Sequence, residues 1–168
     1  GGRVAAVNRG AKRAFESVVV EIDGDAAAPF ERYSAEQARA LTPDVIKAQL
    51  LESGQWTSLR ARPFGRVADP QTAPTGLFIT AIDTHPHAPN PEIAMARESE
   101  AFVLGQDLLA AMVECPVYLC AAPGAEVPQS EHARLARQDF SGPHPAGLAG
   151  THVHFLMGAS LERIAWTV

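Results

Sequence analysis

Two short runs open the chain, Arg3 to Val7 and Phe15 to Ile22, and they flank the polar stretch Asn8-Arg9-Gly10-Ala11-Lys12-Arg13, a pattern that predicts a β-hairpin. A two-stranded hairpin is marginal alone. It is therefore expected to be the end of a truncated N-terminal β domain (residues 1–24), with Asp23 to Pro29 leading into a main domain at 25–168. Beyond it the period changes. Ser34 with Glu36 and Gln37 predicts a short helix, and Thr42-Pro43-Asp44 opens another with an N-cap hydroxyl, proline at the first position and acid in the first turn. Val45, Ile46, Leu50 and Leu51 give that helix its apolar face, and Gly54 is placed to stop it. Arg62 to Gly76, rich in Pro, Gly and Thr, reads as an extended loop.

Leu77 to Ile82 is an almost continuous apolar run ending in Asp83-Thr84, as expected of a strand covered on both faces. Pro91 to Glu114 carries one long helical pattern through Ile93, Phe102, Leu104, Leu108, Leu109 and Met112, and Val117 to Ala121 is a second buried strand. Strand, helix, strand in that order predicts a βαβ crossover. The expected class is α/β: a Rossmann-like parallel or mixed sheet with helices on both faces. Further on, Arg134 to Phe140 reads as a strand, Ser141 to Gly150 as a loop, and Ile164 to Val168 as a last strand cut at the chain boundary. Thr151 to Leu156 fits a strand by alternation or a helix entered through Pro145, and the pattern does not choose.

With 168 residues, 46% of them hydrophobic, one self-sufficient core is within reach. No run approaches the roughly 18 apolar residues that span a bilayer, so membrane association is expected through partners. The net charge of −5, with basic residues dispersed, argues against nucleic acid as a partner. Two cysteines are too few for an iron–sulphur signature, and Cys120 falls inside a buried strand, where it is expected to act as a small hydrophobe.

A doubly wound sheet raises the expectation of a nucleotide, yet neither strand end carries a glycine-rich phosphate loop. After Ile82 comes Asp83-Thr84-His85-Pro86-His87, and after Ala121 comes Ala122-Pro123-Gly124. A flavin-binding electron-transfer domain is a third functional reading. A second reading comes from the histidines. In a strand, residues two apart share a face, so His85/His87 and His152/His154, with Asp83 or Asp139, have the spacing of a metal-dependent hydrolase site. Against it, such barrels need about 200 residues or more, and no Glu accompanies either pair. The histidines otherwise serve as loop caps or interface groups. Trp56 and Phe64, beside Arg60 and Arg62, suit an interface or a planar ligand; alternatively Trp56 anchors the helix end in the core.

Several long motifs resemble the A subunit of the sodium-translocating NADH:quinone reductases. They are Val7-Asn8-Arg9-Gly10-Ala11-Lys12-Arg13 with Ser17-Val18-Val19-Val20-Glu21, the segment Ser53 to Phe64, Phe78-Ile79-Thr80-Ala81-Ile82-Asp83-Thr84, and Gly142 to Leu156. The resemblance covers nearly the whole chain and implies the central segment of a longer protein. It implies a peripheral place on the cytoplasmic side of the bacterial inner membrane. The complex would pass electrons from NADH to ubiquinone and export sodium. This segment is expected to hold no cofactor and to do no chemistry alone. Its implied partners are the other subunits, above all the membrane-embedded B subunit, with ubiquinone as a substrate of the complex. Trp56, Arg60, Arg62, Phe64, His144 and His152 are the residues expected at a quinone or subunit contact.

Overall fold

The computed structural model describes residues 1–25 and 27–168; Ala26, within the expected linker, lies outside the described residues. The chain divides into two compact units, Gly1–Arg32 and Tyr33–Val168. In the first, β1 (Gly2–Arg9) pairs antiparallel with β2 (Phe15–Ile22). Among the described residues of this unit there is no second layer, and Val4, Val7, Phe15, Val18, Val19, Val20 and Ile22 all stay exposed.

The second unit begins with α1 (Ala35–Arg39) and α2 (Pro43–Glu52). Ser34 closes a full capping box, its hydroxyl accepting from Gln37 N–H and its own N–H donating to the Gln37 side chain. Thr42 makes no such bond, so α2 starts on proline geometry alone rather than on the expected hydroxyl cap. Gly54, at φ 78°, ends the helix as expected.

A six-stranded sheet follows: β3 (Arg60–Arg62), β4 (Arg66–Val67), β5 (Gly76–Ala81), β6 (Val117–Ala121), β7 (Leu135–Asp139) and β8 (Ala165–Thr167), in the order β4-β3-β8-β5-β6-β7. The pairs β8-β5, β5-β6 and β6-β7 are parallel, while β3 runs antiparallel to β8 and to β4. The sheet is therefore mixed. The two arginine-bearing strands escape the sequence pattern because each is too short to show alternation, and β4 lies inside the stretch expected as loop.

The helical pattern of Pro91 to Glu114 proves to be two helices, α3 (Pro91–Ala96) and α4 (Ser99–Met112), with Glu98 at φ −126°, ψ 33° between them. Met95 and Phe102 pack on the same core seven residues apart, so the periodicity carries straight through the break. The open choice at Thr151 to Leu156 resolves as α5 (Ala149–Leu156).

Strand alternation sorts the core into two sides. Leu77, Ile79, Val117, Leu119 and Trp166 join Trp56 and Ala110, with Leu50 of α2 and Phe102 of α4 packed against them. Phe78, Cys120 and Ala165 point the other way, to Val153 and Leu156 of α5. Helices thus cover both faces. Burial of roughly 1.5–3 kcal/mol per large apolar side chain is what orders the strands. Cys120, its thiol pKa pushed up to about 12 by burial, behaves as the small hydrophobe expected. Gln106 of α4 is buried yet satisfied: its amide donates to Pro128 O at 2.9 Å and accepts from Ser130 N–H at 3.1 Å.

Candidate functional site at the carboxyl end of the sheet

The chain runs from β5 through α4 to β6 and β7 on one side, then returns through α5 to β8 on the other. The order therefore reverses between β5 and β8, and ligands of open α/β sheets bind outside the strand ends at such a reversal. A cavity of about 420 Å³ lies there, lined among others by Arg60, Arg62, Thr80, Asp83, Ala149 and Thr167.

Alternation explains its polarity. Ala61 packs with the α2/α4 side, so Arg60 and Arg62 fall on the α5 face; Trp166 does likewise in β8, leaving Thr167 with the arginines. On β5, Ile79 faces one way and Phe78 and Thr80 the other. The α5 face is thus apolar under the helix and becomes polar past it. Thr167 and Arg60 are direct cross-strand partners, and the Thr167 hydroxyl donates to Arg60 O at 3.4 Å.

At the rim, Asp83 accepts from the His85 backbone N–H at 2.9 Å and pairs with His85 Nδ1 at 2.6 Å. That backbone hydrogen bond first, and the imidazole second, hold its carboxyl below the usual range. The His85 ring lies 4.8 Å from the His144 ring, and His144 Nδ1 is 3.3 Å from Thr84 Oγ1. Thr84 also accepts from Gly147 N–H at 2.9 Å. Gly147 is required here because a Cβ would sit 2.6 Å from Thr84 N. This contact ties the loop before α5 to the end of β5.

The expected contact residues separate into three groups. Arg60, Arg62 and, through the rim, His144 meet at the cavity. Phe64 is surface, 68% exposed, with the Arg66 guanidinium 5.8 Å over its ring. Trp56 and His152 are core. Trp56 Nε1 donates to Ala68 O at 2.7 Å, and its ring meets Trp166 edge-on at 5.4 Å. His152 is 0% exposed, bonded through Nε2 to Ala146 O at 2.9 Å, with its ring 4.2 Å from that of Phe140 and tilted 42° to it. Burial lowers its pKa, so the ring is neutral and Nε2 carries the proton given to Ala146 O.

The second histidine pair does not share a face as a metal-binding pair would. His152 and His154 lie on a helix, where residues two apart diverge, one buried and one exposed. Asp139 is paired with Arg137 at 2.8 Å. Among the described residues, no group of three or more His, Cys, Asp or Glu is placed to hold a metal ion. Sequence reasoning misses Thr80 and Thr167. The signal for them is there: one hydroxyl inside the apolar run 77–82, one at the end of the last strand, and arginines two apart at 60 and 62.

These features define a mixed α/β domain with a polar crevice at the carboxyl end of its sheet. Residues 41–168 match the family described as "NqrA second alpha/beta domain", and the chain belongs to that family. It is similar to the proteins from Shewanella amazonensis and Vibrio campbellii that carry the name of the A subunit of Na(+)-translocating NADH-quinone reductase, each 46% identical over 99% of this chain. The protein of the same name from Yersinia pseudotuberculosis is 42% identical over the same share. The chain spans 37% of the length of these relatives.

Proposed function

We propose that this chain works as part of the A subunit of a sodium-translocating NADH:quinone reductase, a complex that passes electrons from NADH to ubiquinone and exports sodium. The observation that carries the reading is the 46% identity sustained over 99% of the chain. In this reading the protein is peripheral, on the cytoplasmic face of the inner membrane, and reaches the bilayer through partners, above all the B subunit. No described helix is long and apolar enough to cross a membrane. The segment holds no cofactor and contributes assembly and contact. Phe64 is an exposed aromatic flanked by a guanidinium, the kind of group that anchors an interface or stacks on a planar quinone. His144, at the crevice rim, can hydrogen-bond to a carbonyl oxygen.

The test uses the assembled complex carrying Phe64→Ala or His144→Ala. A weakened hold of the B subunit, or a KM for ubiquinone raised severalfold with assembly intact, supports the contact. Unchanged assembly and unchanged quinone kinetics in both variants remove it.

A further inference from the structure

We propose that the crevice between β3, β8, β5 and the start of α5 binds an oxyanion, the phosphate or carboxylate group of a small molecule. This goes beyond membership of the complex and does not depend on it.

Three observations converge. First, alternation sets two guanidiniums, Arg60 and Arg62, on the sheet face that lines the cavity, and neither belongs to an ion pair among the described residues. Second, Arg62 Nε and Thr80 Oγ1 are sealed from solvent without a hydrogen-bond partner among the described residues. Buried polar groups are nearly always paired, and of the four such unpaired atoms among the described residues, the others being His152 Nδ1 and Trp166 Nε1, these two belong to residues that line one cavity. Third, Ala149, the first residue of the eight-residue α5, lines the same cavity; Thr151 N–H already donates to Leu148 O at 2.9 Å, but the Ala149 and Gly150 N–H groups precede any acceptor in their own helix.

The chemistry these groups share is recognition of a planar or tetrahedral oxyanion. A guanidinium offers parallel N–H donors in a fixed fork, which a carboxylate or a phosphate edge matches and a neutral carbonyl does not. The sequence has no glycine-rich phosphate loop, but a loop of backbone amides is only one way to neutralise such a group. Here the positive charge comes from side chains on the sheet, with the helix end as a supplement. One group opposes an anion: the Asp83 carboxylate at the rim. Its charge is engaged by the backbone N–H and ring of His85, so it bounds the site on that side.

The experiment follows the thermal midpoint of the full-length protein during titration with inorganic phosphate, with succinate, and with sodium chloride at matched ionic strength. The expected result is a saturable rise with phosphate, with succinate or with both, and none with chloride. Phosphate alone identifies a phosphoryl group, succinate alone a carboxylate. In Arg60→Gln/Arg62→Gln the half-saturation point should move up by roughly tenfold or more, the worth of a charge-assisted hydrogen bond. Should that variant fail to fold, Arg62→Lys keeps the charge and loses the fork, and the same weakening is expected. Asp83→Asn should tighten binding. Equal shifts with chloride, or an arginine variant that titrates like the parent, would overturn the proposal.

Discussion

The two faces of the sheet are made from the same strands, yet one builds and the other binds. On the α2/α4 side, Trp56, Leu77, Ile79, Val117, Leu119 and Trp166 form a continuous apolar layer. On the α5 side the layer is short: Phe78, Cys120 and Ala165 meet Val153, and beside them come Thr80 of β5, Thr167 of β8 and Arg60 and Arg62 of β3. Adjacent residues of one strand therefore belong to different tasks, Ile79 to the core and Thr80 to the crevice. The α5 helix covers only part of its face, and the polar groups gather beside it: Arg60 is exposed, while Thr167, Arg62 Nε and Thr80 Oγ1 are buried, where a missing partner is costly.

The sharpest way to break this comparison is Leu77→Ala. Leu77 is 0% exposed, and its truncation should cost about 2–5 kcal/mol in urea unfolding of the full-length protein with little change in m. A loss well under about 1 kcal/mol would show that the layer is not close-packed. Next is Gln106→Ala on α4, which leaves Pro128 O and Ser130 N–H without partners. About 1–3 kcal/mol of destabilisation is expected, and a neutral result would mean that water replaces the amide.

The α5 side should show its character through pH. Burial lowers the pKa of His152, so the unfolded chain takes up protons that the folded chain refuses. Stability from this ring is full above the ordinary histidine value of about 6.5 and falls as pH drops below it. His152→Gln, which retains a donor for Ala146 O, should flatten that slope between about pH 7.5 and 5. An unchanged slope would assign it to other groups. Asp83, with its carboxyl held below the usual range, adds a separate loss only as pH falls below about 4.

The smallest effect belongs to Thr80→Val. Removing an unpartnered hydroxyl at nearly constant volume should be neutral or stabilising by up to about 1 kcal/mol. A loss as large as that of Gln106→Ala would mean that the hydroxyl is bonded in solution.

Much of this fold was legible because burial writes itself into the chain. Leu77 to Ile82 and Val117 to Ala121 are apolar on both faces and could only be inner strands; Ser34 and Gly54 carried their cap chemistry openly. Short elements were not legible. The strands at 60–62 and 66–67 exist because β8 and a tight turn hold them, and their residues alone state no period. The helix at 149–156 was ambiguous for a related reason: His152-Val153-His154 alternates like a strand, and only packing against Phe78 and Phe140 decides. At the site, the two arginines were visible as charges, while the threonines beside them became meaningful only once register placed them on one face.

The proposal that this segment is an interchangeable working part of a sodium-translocating quinone reductase has a direct test. The matching segment of the Vibrio campbellii protein, 46% identical, can be replaced by residues 1–168 of this chain within the whole complex. Sodium-dependent NADH:quinone reduction is then measured in membranes, with retention of the B subunit scored in parallel. The account predicts an assembled complex with activity within a few-fold of the parent. A chimera that folds and holds the B subunit but leaves quinone reduction independent of sodium, or absent, would contradict it.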